Sequence, residues 1–202
     1  MTCLPVNYEM LIAFEGLDQS GKQTQVGRLA RHLRARHHRV ETLEFPVYNT
    51  PIGSEIRAAL EGARSFPPDV LQLLFVANRG ELRSEIETWL TEGAYVLCDR
   101  YASSSVAYGE AQELDPAWLR DIQHFLPQPD LTVLLDIPPS VAAARKQRGR
   151  DRFEQDLPLL ARVRDSYLRQ AREGKWVTVD ASQGKDEVAM AIRGALRARV
   201  KE

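Results

Sequence analysis

Five short apolar runs punctuate the chain, at Leu11–Phe14, Val40–Phe45, Tyr95–Cys98, Leu131–Ile137 and Trp176–Val179. Each has the length of a strand, and the segments between them carry helical spacing. Val70, Leu73, Leu74 and Ala77 fall at i, i+3, i+4 and i+7, which predicts a core-facing stripe on a helix from about Pro68 to Leu90. Val188, Ile192, Ala195 and Leu196 repeat such spacing near the end of the chain. Strands alternating with helices build an α/β fold: a five-stranded parallel sheet in three layers, with helices on both faces. Ligands in such folds bind beyond the carboxyl ends of the strands, so chemistry is expected just after each apolar run. No repeat, linker or low-complexity tract interrupts the pattern, and residues 1–202 read as one domain.

After the first run comes FEGLDQSGKQTQ, Phe14 to Gln25. Its Gly-x-x-x-x-Gly-Lys spacing, Gly16 to Lys22, joins a buried strand to an amphipathic helix, which is the context a P-loop requires. Glycines let backbone N–H groups turn toward a phosphate, lysine adds a point charge and the helix N-terminus adds its dipole. Gly16, Leu17, Asp18, Gln19, Ser20, Gly21, Lys22, Gln23 and Thr24 are therefore candidates for binding a nucleoside triphosphate. Gln23 stands where a magnesium-binding Ser or Thr is usual. The plainer alternative is a tight turn that caps a helix.

The third run ends on Asp99-Arg100-Tyr101, followed by ASSSVAY. A carboxylate at a strand end in a P-loop fold can hold magnesium, and an arginine beside it can clamp a phosphate. A surface ion pair with capping serines would read the same way. The second run leads into Phe45-Pro46-Val47-Tyr48, a rigid aromatic turn. Phe75, Asn78 and Arg79 fall at i, i+3 and i+4, which offers a flat base a ring to stack on and donors for its carbonyls. Equally, Phe75 could lie in the core and Arg79 in a surface pair. Residues 145–154 carry five positive charges in the first eight positions, with Gly149 interrupting the helix. Charge runs are usually solvated faces, but this one also suits a short basic lid over polyphosphate.

Composition changes this picture little. A net charge of −1 gives no global reason to bind nucleic acid or an anionic membrane. Only five of the 27 basic residues are lysine, a bias with no evident functional meaning. Cys3 and Cys98 make no disulfide framework, and Cys98 within a strand pattern reads as a small buried hydrophobe. No apolar run approaches the ~18 residues of a membrane span, and residues 1–9 lack the features of a secretory signal. They read as a short extension before the first strand. Cytoplasm is the expected compartment.

The set FEGLDQSGKQTQ, FPVY, LLFVANR, CDRYASSSVAY, LLDIPP, RFEQD and VDAS resembles the thymidylate kinase family, in family order from about Met10 onward. The resemblance implies transfer of the ATP γ-phosphoryl to dTMP with Mg²⁺, in a homodimer. It also implies roles. Lys22 bridges donor and acceptor phosphates. Arg145 packs on adenine, with the loop around Ala181 at the rim. Phe75 stacks on thymine and Arg79 bonds O4, with Asn78 and Phe45 in the same pocket. Tyr48 and Arg100 hold the dTMP phosphate. Tyr108 crowds the sugar 2′ position, and Ser104 and Ser105 lie where relatives contact base or sugar. Asp18 contacts the 3′-hydroxyl or the metal region, and Asp99 organises magnesium, with Asp18 and Glu154 as further metal candidates. Glu154 also lies on the dTMP side.

The P-loop has Gln19 where one branch of the family carries a catalytic arginine, while the lid offers Arg148, Arg150 and Arg152. That resembles the branch in which lid arginines stabilise transition-state charge. A phosphate oxygen is already ionised at neutral pH, so the transfer needs no general base, and His32, His37, His38 and His124 read as structural. Three rivals stay open. A kinase for another nucleotide would reuse the P-loop and lid. A deoxynucleoside kinase would need a glutamate base after its second strand, where this chain has FPVY with Glu44 just before. A nucleotide-binding protein without turnover would make Gln23 the lesion.

Overall fold

The computed structural model describes residues 10–145, 153 and 156–200. The strands are β1 (Met10–Glu15), β2 (Val40–Glu44), β3 (Tyr95–Asp99), β4 (Leu131–Asp136) and β5 (Val177–Asp180). Between them lie α1 (Lys22–Arg34), α2 (Pro51–Leu60), α3 (Pro68–Glu81), α4 (Arg83–Thr91), α5 (Ala102–Glu110), α6 (Pro116–Asp121), α7 (Pro139–Arg145) and α8 (Leu157–Glu173), with α9 (Lys185–Val200) last. All five predicted runs form strands, each within two residues of its expected ends.

The strands pair in the order β2-β3-β1-β4-β5, every pair parallel. β1 is the turning point: the chain passes to the edge at β2, returns to β3 beside β1, then crosses to add β4 and β5 on the other side. Alternation along β1 sorts its side chains between two apolar clusters. Ile12 and Phe14 join Leu29 and Leu33 of α1 with Tyr95 and Leu97, whereas Leu11 and Ala13 join Val96, Cys98 and Ile86 of α4. A sheet buried on both faces needs apolar residues at consecutive positions, which is why β1 and β3 read as unbroken runs. The register sets Phe14, Asp99 and Glu44 level at the carboxyl ends of β1, β3 and β2. Two carboxylates, Asp99 and Glu44, are thus delivered to one edge by pairing alone.

The single helix expected from Pro68 to Leu90 is two. Leu82 sits at φ −100°, ψ 2°, and its N–H bonds Arg79 O at 3.1 Å in a tightened turn. The break lets α3 and α4 face different clusters: Leu71 packs with the first, Ile86 with the second. The expected stripe on α3 is also corrected. Val70 is 37% and Leu73 45% exposed, and Leu74 and Ala77 are half-buried. The inward face carries Leu71, Gln72, Val76, Asn78 and Arg79 instead. Apolar spacing misled here because this helix turns polar side chains toward the interior. On α9 the expected stripe holds, with Val188, Ile192 and Leu196 buried and Ala195 half-buried.

Gly16 opens the loop after β1 at φ 138°, where a Cβ would stand 2.4 Å from the Leu135 carbonyl oxygen. Both backbone conformation and space demand glycine. Gly16→Ala should lower unfolding free energy by about 2–4 kcal/mol, adding backbone strain to overpacking. Urea unfolding reads this directly, and a loss under about 0.5 kcal/mol would contradict the steric argument.

Candidate functional site

The loop from Glu15 to Gly21 wraps the Lys22 side chain. Gly21 is the N-cap of α1 at φ 94°, and Lys22 is the first residue of that helix. The Lys22 Nζ donates to Gly16 O at 3.3 Å and Leu17 O at 3.0 Å. An ammonium has three donors, so one is left for a ligand at the helix N-terminus. Burial pulls the Lys22 pKa down, reinforced by Arg100 and opposed by Asp18, Asp99 and Glu15. Ser20 Oγ and Gln25 Oε1 are buried in this loop region without partners among the described residues.

Arg100 adopts a left-handed backbone at φ 64° directly after β3, and its guanidinium reaches across to the loop. It donates to Asp18 Oδ1 at 2.7 Å, Ser104 Oγ at 3.2 Å, Tyr167 OH at 3.2 Å and Tyr108 OH at 3.3 Å. Tyr108 OH in turn donates to Asp18 Oδ2 at 3.1 Å. Burial alone would raise the Asp18 carboxyl, but Arg100, Lys22 and these hydrogen bonds outweigh it and hold it well below its ordinary value. Beneath this pair lies Glu15, fully buried, accepting from Tyr101 N at 3.0 Å, Ser104 Oγ at 2.6 Å and Tyr167 OH at 3.1 Å. Desolvation dominates there and raises the Glu15 pKa despite those donors.

Two lobes open on this cluster. The first is lined by Tyr48, Phe75, Arg79, Ser104, Ser105, Tyr108 and Phe153, together with Pro46, Leu60 and Gln72, around about 760 Å³ of open space. Arg79 is 3% exposed, donating to Phe75 O, Ser105 Oγ and Gln123 Oε1 at 3.0–3.3 Å. Burial draws its pKa down to about 10, so it remains charged at neutral pH. The second lobe is lined by residues 18–25, Asp99, Arg145, Ala181, Gln183, Gly184, Lys185 and Val188. Arg145 bridges its walls, donating to Gln19 O and Ala181 O at 2.9 Å each. Asp18, Glu44, Phe45 and Arg100 line both lobes.

Most sequence candidates therefore converge, with three qualifications. Gly16 and Leu17 contribute backbone: their carbonyls hold Lys22, and the Leu17 side chain lies in the core. Asn78 does not reach the cleft. Its Oδ1 accepts from Val47 N at 2.8 Å, and its Nδ2 donates to Val47 O, Thr50 Oγ1 and Glu81 Oε2, so it clamps the turn that carries Phe45 and Tyr48. Gln23 is exposed and donates to Glu44 Oε2 at 3.2 Å. Arg148, Arg150, Arg152 and Glu154, with residues 1–9, lie outside the described residues. Sequence reasoning missed Glu15, Tyr167 and Gln72, and weighed Glu44 only against the base of a deoxynucleoside kinase. Glu15 left a signal, a charge closing an apolar strand; Tyr167, on α8, left none nearby. Cys98 is buried and burial pushes its thiol up, so it is inert.

A parallel sheet with a lysine-bearing glycine loop after its first strand, and a second aromatic pocket beside it, defines a P-loop nucleotide phosphotransferase. The sequence profile described as thymidylate kinase matches residues 14–192. Similar proteins include the thymidylate kinase of Schizosaccharomyces pombe, 35% identical over 187 residues covering 90% of this chain and 89% of the relative. The probable thymidylate kinase of Methanothermobacter thermautotrophicus is 40% identical over 190 residues, covering 93% and 94%. The solved structure of thymidylate kinase from Candida albicans superposes with a TM-score of 0.81 at 28% identity, covering 95% of this chain and 92% of that one. The chain belongs to the thymidylate kinase family.

The pairing of Asp18 with Arg100 carries a pH signature. A depressed carboxyl contributes stability that is full above its ordinary value of 3.8 and is lost as pH falls toward the depressed one. Asp18→Asn should therefore melt below the parent by a constant gap above about pH 5, narrowing below about pH 4. A gap that stayed unchanged down to about pH 3 in thermal melts would refute the ionised pairing.

Proposed function

We propose that the protein transfers the γ-phosphoryl group of ATP to dTMP, giving ADP and dTDP. One observation carries this reading: the loop lobe and the aromatic lobe share Asp18 and Arg100, so a donor triphosphate and an acceptor monophosphate would meet end to end. Lys22 and the loop amides hold the donor phosphates, and Arg145 with the Ala181 loop borders the adenine. Phe75 stacks on thymine and Arg79 donates to its carbonyl edge. Arg100 and Tyr48 hold the acceptor phosphate, Tyr108 and Asp18 flank the sugar, and Ser104 and Ser105 complete the wall. The attacking phosphate oxygen is already ionised, so these residues align and neutralise rather than move protons.

Magnesium fits this site. The Asp99 carboxylate is 7% exposed, faces the loop lobe, and accepts no hydrogen bond from the described residues. Asp99 and Asp18 would hold the ion, with Glu154 as a further candidate, and the ion would supply charge neutralisation on the phosphates. Among the described residues no group of three or more His, Cys, Asp or Glu forms a metal cluster. A homodimer goes with this reading, supported by the exposed Val70 and Leu73 face of α3, and so does a cytoplasmic location. No described helix is long and apolar enough to cross a membrane.

The test is an ADP-release assay with ATP and Mg²⁺ across dTMP, dUMP, dCMP, CMP, UMP, GMP, AMP and thymidine. Turnover chiefly with dTMP is the expected outcome; chief turnover of another acceptor would discard the thymine pocket, and nucleotide binding without turnover would implicate Gln23. In the same assay at least one of Arg148→Ala, Arg150→Ala and Arg152→Ala should cost about 10- to 1,000-fold in kcat. Three variants within a few-fold of the parent would remove the lid from catalysis. Leu73→Glu should shift the sedimentation coefficient from dimer to monomer, and an unchanged value would move the interface off α3.

A further inference from the structure

On the inward face of α3, Gln72 stands one turn before Phe75 and two turns before Arg79. It is fully buried, lines the aromatic lobe, and both Oε1 and Nε2 lack a hydrogen-bond partner. Among the described residues it is alone in having both ends of a side-chain amide buried and unbonded. Its neighbours Leu71 and Val76 are core residues, and a leucine at 72 would fill similar space with nothing left unsatisfied. The orphaned amide therefore points to a partner that enters the lobe.

We propose that Gln72 is a specificity-determining residue that reads the imide edge of the pyrimidine, an inference that rests on the dTMP reading above. A guanidinium carries donors only, so Arg79 can take a carbonyl oxygen but cannot accept the base N3–H. Ser105 Oγ, the nearby hydroxyl, already accepts from Arg79 at 3.0 Å, whereas Gln72 Oε1 has both lone pairs unused. The amide of Gln72 supplies the missing acceptor together with a donor for the adjoining carbonyl, the complement of an imide. Cytosine presents an acceptor at N3 and an amine at position 4. With Arg79 committed to donate, the pair selects thymine and uracil over cytosine. A site built to bond an N–H rejects the analogue lacking it because its own buried groups are then left unpaired.

Gln72→Leu separates this role from a structural one. The KM for dTMP should rise about 10-fold with kcat within about threefold, and the preference for dTMP over dCMP should shrink by a similar factor. The ligand-free variant should melt no lower than the parent, while the rise in melting temperature produced by dTMP should fall. Should the leucine variant fail to fold, Gln72→Met is measured in its place. A KM within about twofold of the parent, with the dCMP ratio unmoved, overturns the proposal. A lowered ligand-free melting temperature with unchanged KM also overturns it, since the amide is then satisfied inside the protein. A parent enzyme silent with dTMP overturns this proposal and the functional reading together; an active parent with an unchanged variant overturns this one alone.

Discussion

The guanidinium of Arg100 ties the site together. Its four partners among the described residues, Asp18, Ser104, Tyr108 and Tyr167, come from the P-loop, α5 and α8, while its own backbone follows β3. A charge this enclosed is tolerable only when nearly every donor is paired, and removing one partner would strand the rest. That requirement fixes where the P-loop lies relative to the aromatic lobe. Glu15 extends the same logic downward, collecting donors from Tyr101, Ser104 and Tyr167 under the pair. The result is a rigid partition between two nucleotide lobes, made of alternating charges rather than apolar packing.

Such a partition suits phosphoryl transfer. Charge on the transferring group is spread over several oxygens, and fixed donors aimed at it act without reorganising when the reaction occurs. Lys22 and Arg100 supply cationic donors, and Asp18 pairs with Arg100 while attracting Lys22. The substrates' own phosphates bring further negative charge to a cluster already near balance. In the proposed reading the base is recognised by α3, which carries an amide, an aromatic ring and a guanidinium at Gln72, Phe75 and Arg79. That same demand explains why α3 shows its apolar residues to the outside.

Much of this was legible in the chain. The apolar runs placed every strand, and FEGLDQSGK placed the phosphate loop, because strand burial and positive-φ glycines leave local marks. Asp99 and Arg100 were readable from their position just past a strand. Asn78 was misread, since spacing puts it beside Arg79 but cannot say that three hydrogen bonds turn it onto the Val47–Thr50 turn. The break at Leu82 was missed for a related reason: Gly80 is the one breaker residue near it, and the break follows from two clusters pulling on one helical segment.

The sequence by itself determined the strands, their order along the chain, the phosphate loop and the family, since each depends on residues close together along the chain. Only the tertiary structure decided which side chains share a wall. Arg100 meets Tyr167 across 67 positions, and Glu15 meets it across 152. Gln72 looks like any polar helix residue until α3 is docked. Pairing of buried charges and orphaning of a buried amide are properties of the packed interior, where water is absent and each group must find its partner in the fold or in a ligand.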